Sequence, residues 1–157
     1  MKLISGGQSG VDRAALDVAI ARGLPYGGWC PRGGWAEDFS DPPGVLARYP
    51  HLRATPSRDP GERTDWNVRD SDAVLIVVET SGLAASRGTR LACDRAGAYG
   101  KPSFVANLMD ADVVAKTREW LDRVQPDTLG IGGPRESEAP GIYGKAKVFL
   151  GRLFAEP

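Results

Sequence analysis

The chain has 157 residues, of which 41% are apolar and 25% are charged, a composition typical of one soluble globular domain. Its 20 basic residues balance 20 acidic ones, so its net charge offers no attraction to nucleic acid or to an anionic membrane. Two cysteines and one histidine are too few for a disulfide framework or a zinc site. The longest apolar run, residues 73–78, is too short to span a bilayer, and the first residues carry no apolar signal-peptide core. We therefore expect a cytoplasmic protein with no protein-ligated metal, no nucleic-acid partner and no membrane partner.

Short β-rich runs alternate with helical patterns along the chain. The β-rich runs predict strands at residues 2–5, 26–30, 73–78, 103–108 and 128–132. Apolar spacings of three and four predict helices at residues 11–22, 89–99, 111–124 and 141–154. This alternation predicts an α/β fold, a Rossmann-like open parallel sheet with helices on both faces. No repeat or linker divides the sequence, so residues 1–157 are expected to form a single domain.

Residues 31–62 break this regularity. They contain six prolines and little periodicity, which predicts a long and mostly irregular excursion of the kind that is usually functional or mobile. Residues 63–70 are then expected to form a short helix that delivers Arg63, Asn67 and Thr64 to a site. The alternative is that Arg63 and Arg69 only pair with neighbouring carboxylates on a solvated surface.

Three strand-to-helix connections combine glycine with hydroxyl or arginine side chains. They are the first loop (residues 6–10, Gly-Gly-Gln-Ser-Gly), the second loop (residues 86–89, Ser-Arg-Gly-Thr) and the third loop (residues 133–137, Gly-Pro-Arg-Glu-Ser). Glycine lets backbone N–H groups approach an oxyanion, and helix N-termini carry partial positive charge. Because all three loops follow strands of one parallel sheet, they meet at its carboxyl edge, where ligands bind. The pattern predicts a shared site for a phosphate-bearing ligand.

Other side chains have open alternatives. Asp12 either caps the first helix or contacts a ligand, and Glu37 and Asp38 either contact a ligand or are solvated. The indole rings of Trp29, Trp35 and Trp66 either wall a flat ligand or pack the irregular segment.

The sequence resembles the molybdenum cofactor carrier protein family. This family belongs to a Rossmann-like superfamily that includes the LOG-type phosphoribohydrolases, formerly called lysine decarboxylase-like proteins. The resemblance covers nearly the whole chain and rests on four ordered blocks, at residues 6–17, 30–33 with 36–38, 63–72, and 133–137 with 140–143.

The resemblance implies a protein that carries or stores molybdopterin, in a homo-oligomer such as a dimer or tetramer. The terminal phosphate of this cofactor would meet the first and second loops. Molybdenum would be held by the dithiolene of the cofactor or arrive as an oxyanion, which requires no protein ligand. The candidate binding residues are Gly6, Gly7, Gln8, Ser9, Gly10, Asp12, Arg32, Arg63, Thr64, Asn67, Ser86, Gly88, Thr89, Gly133, Pro134, Arg135 and Ser137.

One position departs from the phosphoribohydrolases. These enzymes carry a catalytic Glu three residues after the Gly-Thr pair of their second phosphate loop, and here that position is Ala92. A methyl group can neither act as a general base nor stabilise a ribosyl oxocarbenium ion. The sequence therefore favours binding without catalysis. The alternatives are a nucleotide-sensing module, or a nucleoside 5′-monophosphate phosphoribohydrolase that uses Asp12, Glu37 or Asp38 instead.

Overall fold

The structure, a computed structural model, describes residues 1–156. Its strands are β1 (Lys2–Ile4), β2 (Tyr26–Cys30), β3 (Leu52–Ala54), β4 (Ala73–Val78), β5 (Ser103–Asn107) and β6 (Thr128–Gly132). Its α-helices are α1 (Val11–Ala21), α2 (Val45–Arg48), α3 (Pro60–Arg69), α4 (Arg87–Ala98), α5 (Val113–Val124) and α6 (Ile142–Leu153). Short 3-10 turns lie at Arg32–Gly34 and Gly82–Ala85.

All six strands form one parallel sheet in the order β3-β2-β1-β6-β4-β5. The last strand of the chain, β6, therefore lies at the centre, paired with β1 on one side and β4 on the other. The predicted α/β fold with a Rossmann-like parallel sheet is confirmed. The centre of the sheet, where the chain order changes direction, is where such folds bind ligands.

Strand β4 shows how both faces of the sheet are covered. All six of its residues are buried, as expected for a central parallel strand with helices on both sides. Leu75 and Val77 pack in a cluster that also contains residues of α1, α5 and α6. Val74 and Ile76 point to the opposite face, where they pack with residues of α3 and α4. None of the helices within residues 1–156 is long and apolar enough to cross a membrane.

Most of the segment at residues 31–62 is irregular, as predicted, but it contains short elements that were not predicted. This segment contains α2 and β3, and α3 already begins at Pro60. Strand β3 is a three-residue edge strand with exposed Arg53 at its centre, so it lacks the apolar run by which longer strands are recognised. The start of α3 does have a sequence signal, because the carboxylate of Asp59 accepts from the N–H of Gly61 (2.9 Å) ahead of a proline at the first helical position.

Candidate functional site

A cavity of about 240 Å³ opens at the carboxyl ends of β1, β6 and β4, between the sheet and the helices α3 and α4. Its floor includes the apolar side chains of Ile4, Val74 and Ile76, and Trp35 of the irregular segment also lines it. An apolar cavity with a few polar groups is the usual form of a small-molecule site.

Two glycines of β6 create much of this space. Gly130 and Gly132 are two residues apart, so they face the same side of the sheet, and both line the cavity. A Cβ atom at Gly132 would have Asp12 Oδ1 (3.7 Å) as its only neighbour within 4 Å. A Cβ atom at Gly130 would lie 2.5 Å from Ser71 Oγ. The central strand thus leaves a furrow that is open at Gly132, whereas the hydroxyl of Ser71 approaches the strand at Gly130.

The N-terminus of α4, formed by the second loop, has unused hydrogen-bonding groups. Ser86 Oγ caps the helix by accepting from the N–H of Thr89 (3.2 Å). Within residues 1–156, neither the N–H of Arg87 nor that of Gly88 has a protein acceptor. The hydroxyl of Thr89 is buried and has no hydrogen-bond partner among the described residues, which typically costs about 1–3 kcal/mol in an unliganded protein. All four residues line the cavity, so this end of it is equipped for an oxyanion.

A buried cation lies in the same cavity. Arg63 of α3 is only 8% exposed, and its Nη1 donates to the carbonyl of Gly6 (2.8 Å). This is the one hydrogen bond that its guanidinium makes within residues 1–156, although the group carries five N–H donors. Asp12 Oδ2 lies 3.8 Å from Nη1. The remaining donors of Arg63 are available to a ligand.

The first loop differs in that a carboxylate and a side-chain amide occupy two of its N–H groups, whereas the N–H groups of its three glycines have no acceptor within residues 1–156. The N–H of Gln8 points at Asp12 Oδ2 (3.4 Å), and the N–H of Ser9 donates to Gln8 Oε1 (3.0 Å). The N–H of Val11, at the start of α1, donates to the carbonyl of Pro134 (3.2 Å). The carboxylate of Asp12 therefore lies where an external anion would have to bind to this loop.

Asp12 itself is 8% exposed and lines the cavity. Burial raises its pKa, and the positive charge of Arg63 and the N–H of Gln8 offset only part of that rise. Its contacts with Arg63 and Gln8 are made by Oδ2. Oδ1 accepts no hydrogen bond within the described residues and lies beside Gly132.

Two acidic residues of the irregular segment, Glu37 and Asp38, tie that segment to the first and third loops and to α1. Glu37 accepts from the hydroxyl of Ser9, and from the N–H (3.1 Å) and hydroxyl (2.5 Å) of Ser137. Burial opposes ionisation of Glu37, but the hydrogen bonds from Ser137 and Ser9 outweigh it and lower its pKa. Asp38 forms two hydrogen bonds with the guanidinium of Arg13 (2.8 and 2.9 Å), and they lower the pKa of Asp38. Glu37 thereby joins the first loop to the third.

The structure brings eleven of the seventeen candidate binding residues together around the cavity: Gly6, Gln8, Asp12, Arg63, Thr64, Asn67, Ser86, Gly88, Thr89, Gly133 and Arg135. The other six lie outside its lining: Gly7, Ser9, Gly10, Arg32, Pro134 and Ser137.

Several candidates already have protein partners. The side-chain amide of Asn67 donates to the carbonyl of Trp29 (2.9 Å) and accepts from its N–H (2.8 Å). Arg135 pairs with Glu138 (3.2 Å). Trp29 packs edge-on against Trp66 (4.8 Å between ring centroids), and neither ring lines the cavity.

The sequence interpretation did not include Arg87, Trp35, Gly130 and Gly132 among its binding residues. The alternation Gly130-Ile131-Gly132 was an available signal, because glycines two apart in a strand leave one face bare. No group of three or more His, Cys, Asp or Glu side chains in residues 1–156 could hold a metal ion.

Comparison with known proteins agrees with the topology. Residues 3–154 match the circularly permutated YpsA SLOG family. The chain belongs to this family. Its fold also matches the crystal structure of a "putative molybdenum carrier protein" from Syntrophus aciditrophicus SB, with a TM-score of 0.88 and 36% sequence identity over 98% of this chain and 94% of that one. No curated protein matches the chain significantly.

Membership of a permuted SLOG family fits the position of β6. The last strand supplies the centre of the sheet and the glycine furrow. The cavity is therefore built from residues near both ends of the chain, because the first strand, β1, pairs with the last strand, β6.

Proposed function

We propose that the cavity binds a phosphate-bearing heterocyclic ligand without transforming it, and that the protein carries or stores a molybdenum cofactor. The unpartnered, buried hydroxyl of Thr89 is the observation that supports this proposal most directly. A phosphate oxygen at that position would accept from the hydroxyl and from the N–H groups of Arg87 and Gly88. The name of the Syntrophus protein supports molybdenum as part of the cargo.

Electrostatics favours the second loop over the first as the phosphate end. Two like charges 4 Å apart repel by about 4 kcal/mol at an effective dielectric constant of 20, and Asp12 lies against the first loop. At the second loop, a phosphate meets the helix N-terminus and the side chain of Arg87. We therefore place the phosphate at Ser86–Thr89 and the ring system over the glycine furrow of β6.

The residues around the furrow favour binding over hydrolysis. Ala92 presents a buried methyl group to the cavity where the related hydrolases carry a carboxylate. Glu37 and Asp38 are engaged with Ser137 and Arg13. Incubation with AMP, followed by chromatography, is expected to release no adenine, and release at a rate proportional to protein concentration would contradict the proposal.

The binding test compares the wild type with Thr89→Val, which removes the hydroxyl and keeps the shape of the side chain. Molybdenum cofactor released from a donor enzyme is titrated into each protein, with AMP in a parallel titration. Hydrogen bonds to charged groups contribute about 1.5–3 kcal/mol, so the variant should bind about 10- to 100-fold more weakly. Its unliganded melting temperature should equal or exceed that of the wild type, because a buried unpartnered hydroxyl is removed.

The outcomes of this titration separate the candidates. Saturable binding of the cofactor with much weaker binding of AMP supports a carrier. Tight binding of AMP without the cofactor supports a nucleotide-sensing module that uses the same phosphate end. Equal affinities of wild type and Thr89→Val for every ligand would contradict the phosphate site itself.

We also propose a homo-oligomer, a dimer or tetramer, on the family resemblance alone, and a cytoplasmic location on the composition of the sequence. Native mass spectrometry of gently purified protein measures subunit number and any retained ligand in one experiment. A purely monomeric spectrum would contradict the first part of this proposal.

A further inference from the structure

The cavity has a second polar end, formed by the carboxyl group of Asp12. This group is 8% exposed, and its Oδ1 lies beside the furrow at Gly132 without any hydrogen bond within the described residues. A buried carboxylate is costly unless its oxygens are hydrogen-bonded. Gln8 and Arg63 contact only Oδ2, so the group retains acceptor capacity on the side that faces the cavity.

The spacing of the strands relates this end to the phosphate end. Asp12 follows β1, whereas Ser86–Thr89 follow β4, and β6 lies between these two strands. Neighbouring strands are about 4.8 Å apart, and the Asp12 carboxylate reaches Gly132 of β6, so the two ends belong to neighbouring strands, about 5 Å apart across the sheet. The apolar floor and the glycine furrow line the same cavity. A flat ring that spans this furrow would place its edge at Asp12 while its phosphate reaches Thr89.

We propose that Asp12 recognises a 2-amino-4-oxopyrimidine ring, the unit shared by pterins and guanine, through its adjacent ring N–H and amino donors. A carboxylate offers two acceptor oxygens side by side, and each oxygen has two lone pairs, so Oδ2 can accept a further hydrogen bond beside its contact with the N–H of Gln8. The two oxygens together match two neighbouring N–H donors. Adenine presents one donor and one acceptor on the corresponding edge, and hypoxanthine presents the ring N–H without the amino group. This specificity rests on the proposed function, because it assumes that the phosphate of the ligand lies at the second loop.

Isothermal titration of the wild type with four probes tests the proposal. The probes are GMP, IMP, AMP and neopterin monophosphate. GMP or neopterin monophosphate should bind at least tenfold more tightly than IMP and AMP, because a hydrogen bond to a charged acceptor is lost with the amino group. If neopterin monophosphate alone shows the preference, the recognised ring is a pterin, and if GMP alone shows it, the ring is guanine.

The variant Asp12→Asn tests the role of Asp12 in a second way, because its side-chain amide offers one acceptor and one donor in place of the two acceptors of a carboxylate. It should reduce the preference for GMP or neopterin monophosphate over IMP to about one. Retained affinity for IMP shows that the variant is folded. If the variant does not fold, the comparison of probes in the wild type still decides.

Equal affinity of the wild type for all four probes would overturn the role of Asp12 and leave the phosphate site intact. Failure of all four probes to bind would overturn both proposals. A wild-type preference that persists in Asp12→Asn would also overturn this role of Asp12.

Discussion

The first and second loops look alike in sequence and differ in what their polar groups do. Both connect a strand to a helix, and both contain glycine and serine. In the first loop, the N–H groups of Gln8 and Ser9 are used by Asp12 and by the side chain of Gln8. The N–H groups of its three glycines have no acceptor within residues 1–156, but Gly7 and Gly10 lie outside the cavity lining. In the second loop, two N–H groups and a buried hydroxyl have no protein partner within residues 1–156. The capacity to bind an anion therefore depends on which groups the protein leaves unsatisfied, and composition alone does not reveal this.

The difference has a structural cause in the neighbours of each loop. The irregular segment folds over the first loop, where Glu37 accepts from Ser9 and links it to Ser137. The second loop lines the same cavity as the furrow at Gly132. One loop is thus part of the scaffold, and the other is part of the proposed site.

The largest expected effect comes from Gly132→Ala. The new methyl group would meet only Asp12 Oδ1, at 3.7 Å, so the unliganded fold tolerates it, but it would occupy the furrow that the ring of the ligand needs. A clash between the ring of the ligand and the new methyl group should cost about 1–3 kcal/mol of binding free energy, as overpacking does in protein cores. The upper value corresponds to about a 100-fold loss of affinity for molybdenum cofactor, measured by titration.

Gly97→Ala is the matched control for this variant. Gly97 is exposed in α4, and a Cβ atom there would have no neighbour within 4 Å. It should raise helix stability by about 0.5–1 kcal/mol and leave affinity unchanged. Equal affinities of the Gly132→Ala variant and the wild type would show that no ligand occupies the furrow.

Ser9→Ala is expected to affect stability and spare binding. The hydroxyl of Ser9 donates to Glu37 and accepts from the N–H of Glu136 (3.1 Å). Its removal leaves partly buried partners unsatisfied, so the free energy of unfolding in urea should fall by about 1–2 kcal/mol. Affinity for the cofactor should stay within about twofold of the wild type, since roughly 0.4 kcal/mol corresponds to that factor. A tenfold loss of affinity at unchanged stability would instead place the ligand at the first loop.

The smallest expected effect is on the pH dependence of stability. The pKa of Glu37 is lowered in the folded protein, so its ionised form contributes stability above its usual pKa of 4.5. That contribution is lost as pH falls through the lowered folded value. Glu37→Gln should therefore be less stable than the wild type at pH 7, by about 1 kcal/mol.

Urea unfolding at several pH values between 7 and 3 follows this difference, which should shrink at acid pH. Glu119→Gln is a control, because Glu119 is exposed in α5 and its ion pair with Arg123 (3.8 Å) is exposed as well. If the free energies of unfolding of Glu37→Gln and the wild type differ by the same amount at every pH, the ionised form of Glu37 does not stabilise the fold.

The sheet was predictable from sequence because its strands are short apolar runs. The predicted bounds of β2, β4 and β6 agree with the structure, and the helix periodicities placed α4, α5 and α6 within two residues at each end. Strand β3 was missed because three residues with a charged centre carry no periodic signal. The sequence order also gave no indication that β6 lies between β1 and β4, since strand order depends on packing between distant segments.

The candidate site was predictable in location and less so in detail. Glycine and hydroxyl residues after β1, β4 and β6 pointed to the carboxyl edge of the sheet, and eleven candidates line one cavity there. The sequence could not show that Glu37 would join Ser9 to Ser137, because these contacts span 28 and 100 residues. It therefore could not show that the irregular segment covers the first loop and leaves the second uncovered.

Titration of ¹⁵N-labelled protein with inorganic phosphate, followed by ¹H–¹⁵N NMR, tests the central claim most directly. Phosphate alone should occupy only the phosphate end of the cavity. The backbone amide signals of Arg87, Gly88 and Thr89 should shift saturably, while those of Gln8 and Ser9 should stay unchanged. Saturable shifts at Gln8 and Ser9 with none at Arg87 and Gly88 would contradict the account.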